Sequence, residues 1–146
     1  MRVDYIFGYT ILNDWSACYL QRKEFKIGLG PAKGKDFATS LGPYLVTKDE
    51  LAPCRIGDRY DMEMVARVNG RELSRGNFKD IYYTFGQMIE RASDGVTLYL
   101  GDVIGSGTVG TGCLLELGPE LHRWLEPGDH VQLEVTGLGI LENAIE

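Results

Sequence analysis

The sequence predicts an α+β domain, mostly β, with one substantial helix. Three observations carry that prediction. Glycine is abundant, 19 of 146 residues against roughly 7% in an average protein, which implies many turns and close backbone approaches. Met62, Met64, Ala66 and Val68 alternate with Glu63 and Arg67 and run into Asn69-Gly70, the pattern of a strand feeding a two-residue hairpin turn. A helical stripe appears in one stretch, with Ile81, Phe85, Met88, Ile89 and Ala92 at i, i+4, i+7, i+8 and i+11.

The other elements follow in chain order. Tyr5 to Leu12 is aromatic and β-branched and predicts a buried strand. Asn13 and Asp14 would end it and cap a short helical turn over Trp15 to Arg22. Gly28 to Gly42 is too rich in glycine and proline for regular structure, but it carries Lys33, Lys35 and Asp36. Tyr44 to Thr47 predicts a short strand, and the polar, turn-rich segment Lys48 to Tyr60 an exposed loop. Arg71 to Ser74 returns as the hairpin partner, after which Asn77 would cap the helix and Asp94-Gly95 end it. Strands are expected at Val96 to Leu100, Val103 to Gly105 and Cys113 to Leu117. Pro127-Gly128-Asp129 marks a turn before a strand over His130 to Thr136, and Leu138 to Glu142 supplies the last strand. No repeat or linker divides residues 1–146, so one domain is expected.

Charge and composition narrow the function. The chain has 15 basic and 21 acidic side chains, a net charge of −6 and a pI near 4.9. Without a Lys/Arg block it offers no nucleic-acid surface, because phosphate binding needs clustered positive charge. No apolar run approaches the ~18 residues of a membrane span, and Asp4 interrupts any signal-peptide core. Cys18, Cys54 and Cys113 are odd in number and widely spaced, which suits reduced thiols in a cytoplasmic protein.

Several constellations invite chemical readings. Gly105-Ser106-Gly107-Thr108-Val109-Gly110 matches G-x-G-x-x-G, but a dinucleotide site needs a helix directly after it, and Cys113 to Leu117 reads as strand. A glycine-rich loop beside a non-nucleotide site fits better. Gly34-Lys35 fails as a phosphate loop twice, since Leu29 stands where glycine is required and Asp36 where Ser or Thr is required. Asp61-x-Glu63 reads as a solvated strand face, and His122 and His130 as surface histidines. Asn13-Asp14-Trp15-Ser16-Ala17 is more suggestive. A carboxylate at the end of a buried strand, with Lys35 in the loop that follows, would suit a cation site with an adjacent positive charge; an N-capping Asp14 fits the same residues.

At these residues the chain resembles the fumarylacetoacetate hydrolase family. The resemblance rests on Gly8-Tyr9-Thr10-Ile11-Leu12-Asn13-Asp14-Trp15-Ser16-Ala17 with Leu20-Gln21, and on Gly34-Lys35-Asp36-Phe37-Ala38-Thr39-Ser40-Leu41-Gly42-Pro43. Val68-Asn69-Gly70, Gly101-Asp102-Val103-Ile104, Gly107-Thr108, Pro127-Gly128-Asp129 and Val135-Thr136-Gly137-Leu138-Gly139 continue it, from about Tyr5 to Asn143. It implies a mixed β-sandwich roll that forms homodimers. It also implies a Mg²⁺- or Ca²⁺-assisted enzyme that hydrolyses, decarboxylates or isomerises β-dicarbonyl or 2-oxo acids such as acylpyruvates. By the same resemblance Asp14 matches the metal-ligand aspartate, Lys35 the active-site lysine, Gln21 a substrate-contacting glutamine and Thr108 the active-site threonine, while Thr39 matches a position near the cation.

Two departures accompany the match. The family reads Ser-Ala-Arg-Asp where this chain has Ser16-Ala17-Cys18-Tyr19, so a charge that could grip an anionic substrate is gone. The family's Glu-x-Glu metal ligands and general base belong upstream of Met1, and Asp61-x-Glu63 is not their substitute by sequence order. The chain therefore reads as the C-terminal portion of a longer catalytic domain, or as a non-catalytic remnant serving as a dimerising binding module.

Overall fold

The computed structural model describes residues 2–28, 30–118 and 120–146. Leu29, the position that breaks the phosphate-loop spacing, lies outside them. The described residues form an α+β architecture, mostly β, as the sequence predicts.

A 3-10 turn over Arg2–Tyr5 leads into β1 (Gly8–Asp14), which pairs antiparallel with β2 (Thr39–Thr47). The strand begins later than its apolar residues suggest, because Tyr5 and Phe7 are exposed and find no ladder. β2 is longer than predicted and takes in Thr39 to Gly42 from the glycine-rich segment. The register slips between Tyr9 and Ile11, where β2 carries Pro43, which has no N–H to donate. Between the strands runs α1 (Cys18–Glu24). Asp14 does not cap it. Its first turn carries no side-chain cap, and Asp14 is the last residue of β1.

The main sheet has the order β6-β5-β7-β8, antiparallel throughout, from β5 (Glu63–Val68), β6 (Arg71–Asn77), β7 (His130–Val135) and β8 (Gly139–Ala144). Asn69 and Gly70 turn the β5–β6 hairpin with φ of 51° and 76°, the positive values such a turn demands. Val65, Val68, Val131, Val135 and Leu141 from this sheet are buried, and β2 lies against β8.

Three further expectations need correction. Lys48 to Tyr60 is not simply an exposed loop. It contains a small hairpin of β3 (Arg55–Ile56) and β4 (Arg59–Tyr60), and Leu51, 1% exposed, is a core residue beside Gly137. Met62 is also core, at 2% exposure. The helix is split: Asn77 caps a 3-10 turn over Phe78–Asp80, and α2 (Phe85–Ala92) starts only after Tyr82-Tyr83. The reason is a capping box, in which Thr84 and Gln87 satisfy each other's backbone N–H groups. Finally, no strand forms over Val96 to Leu100 or Val103 to Gly105, and Cys113 to Leu117 gives α3 (Leu114–Leu117). A strand needs a neighbour, and among the described residues none pairs with this run; positive φ at Gly101, Gly107 and Thr111 bends it away from extended geometry.

The core is completed by an aromatic cluster. Tyr9 meets Tyr60 and Phe85 edge-on at 5.2 and 5.3 Å between ring centroids, and Phe85 stacks on Phe78 at 5.8 Å. Burial and the hydrogen bond with Tyr60 push the Tyr9 phenol above its ordinary range. Among the described residues no helix is long and apolar enough to cross a membrane.

Candidate functional site

The site grows from the end of β1. In the β1–β2 ladder Asp14 lies directly opposite Thr39, and Asn13 opposite Ser40. The Trp15 indole donates to the Ser40 hydroxyl at 2.9 Å, and the Ser16 hydroxyl to the Asp14 carbonyl at 3.1 Å, so the chain leaves the strand at a fixed corner. Ala17 N–H then donates to the Gly34 carbonyl at 2.8 Å. Gly34 is buried, and a Cβ there would stand 3.0 Å from the Gln21 nitrogen and 3.1 Å from its Cα. Only glycine lets the loop lie this close to α1.

That close approach aims the next residue. Lys35 and Asp36 both donate their N–H groups to the Ala32 carbonyl, and from this turn Lys35 Nζ reaches Asp14 Oδ2 at 2.7 Å. Their side chains are 31% and 47% exposed, so water screens the pair and its net contribution to stability is small. Its importance is geometric: it holds an ammonium against a carboxylate at the mouth of the β1–β2 ribbon. Asp14, Thr39 and Lys35 thus converge, with the backbone of Gln21 packed beside them.

Thr108 belongs to the long loop after α2. The loop that carries it crosses β6, where Val109 fills the space over Gly76, 3.2 Å from where a Cβ would be. Nearby Thr111 Oγ1 lies 3.4 Å from the buried Ser74 hydroxyl. Thr108 lines a cavity of about 510 Å³ with Met64, Tyr82, Tyr83 and Met88. Among the described residues no hydrogen bond links Thr108 to Asp14 or Lys35, whose own contact is direct.

The sequence reading passed over Glu24, whose carboxylate accepts N–H bonds from three consecutive residues of the Lys35 loop. Those partners are backbone groups and have no residue-type signature. The other carboxylate candidates are already engaged. Asp61 accepts from Asn77 at 2.6 Å and from Lys79 at 3.0 Å, and Glu63 is ion-paired with Arg75.

A hard divalent cation takes six or more oxygens, normally with more than one carboxylate. Among the described residues no group of three or more His, Cys, Asp or Glu side chains could hold one, and Asp14 shares its carboxylate with an ammonium. The described residues do not by themselves amount to a metal centre.

Known proteins share this fold. Residues 3–146 match the family described as fumarylacetoacetate (FAA) hydrolase C-terminal. The fumarylacetoacetase of Arabidopsis thaliana is 33% identical over 144 residues, covering 78% of this chain and 34% of that protein. A fumarylacetoacetate hydrolase from Exiguobacterium antarcticum superimposes with a TM-score of 0.79 at 29% identity, covering 99% of this chain and 48% of that one. A 5-carboxymethyl-2-hydroxymuconate delta-isomerase from Mycobacterium smegmatis does so with a TM-score of 0.75 at 35% identity, over 97% and 49%. This chain spans about half the length of the curated relatives it matches, 45% in the staphylococcal proteins. With its fold, its ordered motifs and nearly its whole length matched, the chain belongs to the fumarylacetoacetate hydrolase family.

Proposed function

We propose that the chain supplies the Asp14–Lys35 part of an active site that cleaves, decarboxylates or isomerises a β-dicarbonyl or 2-oxo acid, an acylpyruvate being the type substrate. The observation that carries this is the 2.7 Å contact between Lys35 Nζ and Asp14 Oδ2 beside Thr39. In hydrolysis of such a compound water adds to the acyl carbonyl, the carbon–carbon bond breaks, and the departing fragment leaves as an enolate that takes up a proton. Lys35 would stabilise that developing negative oxygen, since a fixed ammonium acts on charge as it forms. Gln21 and Thr108 are assigned to hold the substrate's polar groups. Asp14, with Thr39 as a neutral supplement, would be this chain's ligands to Mg²⁺ or Ca²⁺, and carboxylates beyond Asp14 would be needed to complete such a site.

The same proposal makes the assembly a homodimer. Tyr82 and Tyr83 are 81% and 59% exposed, and Tyr99 and Leu100 are exposed as well, and a second copy would cover them. This exposure also favours a second reading, a dimerising binding module without catalysis. The free thiols at Cys18, Cys54 and Cys113 support a cytoplasmic setting.

The test is calorimetric titration with acetylpyruvate in millimolar Mg²⁺. Binding that is lost in Lys35→Met supports the enzyme reading. Equal binding by wild type and Lys35→Met removes Lys35 from the site, and absence of binding in a folded dimer supports the module.

A further inference from the structure

We propose that Glu24 is a positioning residue for Lys35: its carboxylate gathers the backbone N–H groups of Ala32, Lys33 and Gly34 and so sets the turn from which Lys35 reaches Asp14. Glu24 Oε2 accepts from Ala32 at 2.9 Å and from Gly34 at 3.1 Å, while Oε1 accepts from Lys33 at 2.7 Å. Three successive amides therefore point into one concave pocket of backbone, and the carboxylate at the end of α1 fills it.

The geometry singles out Glu24 as the clamp. The Lys33 side chain does not pair with it, since Lys33 Nζ is held by Asp36 at 2.8 Å. Glu24 is thus bound to the loop's backbone and not to its charges, and it fixes the loop's path whatever side chains the loop carries. The opposite side of the same loop is held by Ala17 N–H on the Gly34 carbonyl and by the packing of Gln21 against Gly34. Lys35 follows directly after the third clamped amide. Removing the carboxylate leaves three donors without their acceptor, one of them on the buried Gly34, and the loop must open to water to satisfy them. Opening moves the base of the Lys35 side chain away from Asp14.

Desolvation raises the Glu24 pKa, but the bonds from Ala32, Gly34 and Lys33 outweigh it and hold the group below the ordinary glutamate range. The clamp is ionised at neutral pH and its grip is charge-assisted. The catalytic meaning of this positioning rests on the function proposed above; the contact itself can be tested without any substrate.

The experiment is nuclear magnetic resonance of the wild-type chain, Glu24→Gln and Glu24→Ala, reading the coupling across the hydrogen bond between Lys35 Nζ and the Asp14 carboxylate. The Lys79–Asp61 pair, 3.0 Å apart in another part of the fold, serves as internal reference. Both variants are expected to weaken the Lys35 signal, Glu24→Ala more than Glu24→Gln, which keeps one acceptor oxygen. The amides of Ala32 to Gly34 should exchange roughly tenfold faster or more, with the Lys79–Asp61 signal unchanged. A general loss of stability would weaken both pairs together. Should Glu24→Ala fail to fold, Glu24→Gln decides. An undiminished Lys35–Asp14 coupling in folded Glu24→Gln overturns the proposal. Failure of acetylpyruvate to bind overturns the proposed function and leaves this measurement intact.

Discussion

Arg123 grips Asp129 with both arms of its guanidinium, Nη1 to Oδ2 at 2.7 Å and Nη2 to Oδ1 at 2.8 Å. Asn69 Nδ2 and the Glu126 N–H each add a bond at 2.8 Å, so the buried Asp129 carboxylate is satisfied on every side. The Arg123 guanidinium first, then Asn69 and the Glu126 amide, hold the Asp129 carboxyl well below the usual carboxylate range. A depressed folded-state value stabilises the fold above the unfolded value of about 3.9, and that stabilisation is lost as pH falls through the folded value. Asp129→Asn should lower the melting temperature near neutral pH and flatten its decline below about pH 4. Thermal melts across the acid range check both effects, and an unchanged acid limb would mean that another carboxylate governs it.

Tyr9 works in the opposite direction. Its raised folded-state value favours the neutral phenol, so its contribution is present below the unfolded value of about 10 and declines as pH rises beyond it. Tyr9→Phe should therefore soften alkaline unfolding while keeping the contacts to Tyr60 and Phe85. Ultraviolet-monitored alkaline titration is the measurement.

Leu51→Ala should destabilise the fold by about 2–5 kcal/mol, the range for emptying a fully buried leucine site. Denaturant unfolding gives the value directly, and a change below about 1 kcal/mol would show that the segment carrying Leu51 is not part of the core.

Thr84→Ala removes one half of the capping box on α2 and should cost about 1 kcal/mol. Because Tyr82 and Tyr83 sit immediately before the cap, near-ultraviolet circular dichroism should report the same fraying through the aromatic signal.

The chain alone should bind Mg²⁺ in the millimolar range or weaker, because Asp14 is one carboxylate and Lys35 already shares it. Calorimetric titration checks this. A saturating micromolar isotherm abolished by Asp14→Ala would reveal carboxylates that complete the site.

Light scattering after size exclusion should give twice the 16.3 kDa chain mass. A mass of one chain that stays constant with concentration would sink the homodimer.

How legible all this was depends on whether a feature is written in side-chain types. The β5–β6 hairpin was plain because Asn69-Gly70 and the alternation before it each demand the same geometry. Asp14 and Lys35 are 21 residues apart, and no period links them; the likeness to a family marked them out. Glu24 was invisible because its three partners are peptide groups. Leu51 was hidden as one apolar residue among polar ones, and the Thr84-x-x-Gln87 box was overlooked beside the stronger apolar stripe. The segments Val96 to Leu100 and Val103 to Gly105 misled because their residues suit strands, while pairing depends on a neighbour that side-chain pattern does not reveal.

Asn69 has one further consequence, which concerns ageing. An asparagine followed by glycine is the sequence most prone to lose its side-chain amide, through attack by the next backbone nitrogen. Here that amide donates to Asp129 at 2.8 Å, while its oxygen accepts from His130 N–H at 2.9 Å. Conversion of Asn69 to an acid would replace the donor with a second negative oxygen facing Asp129, and the turn and the Arg123 grip would loosen together. Stored protein should accumulate a more acidic species, separable by ion exchange, that melts earlier than fresh material. Asn69→Asp should reproduce its melting behaviour at once.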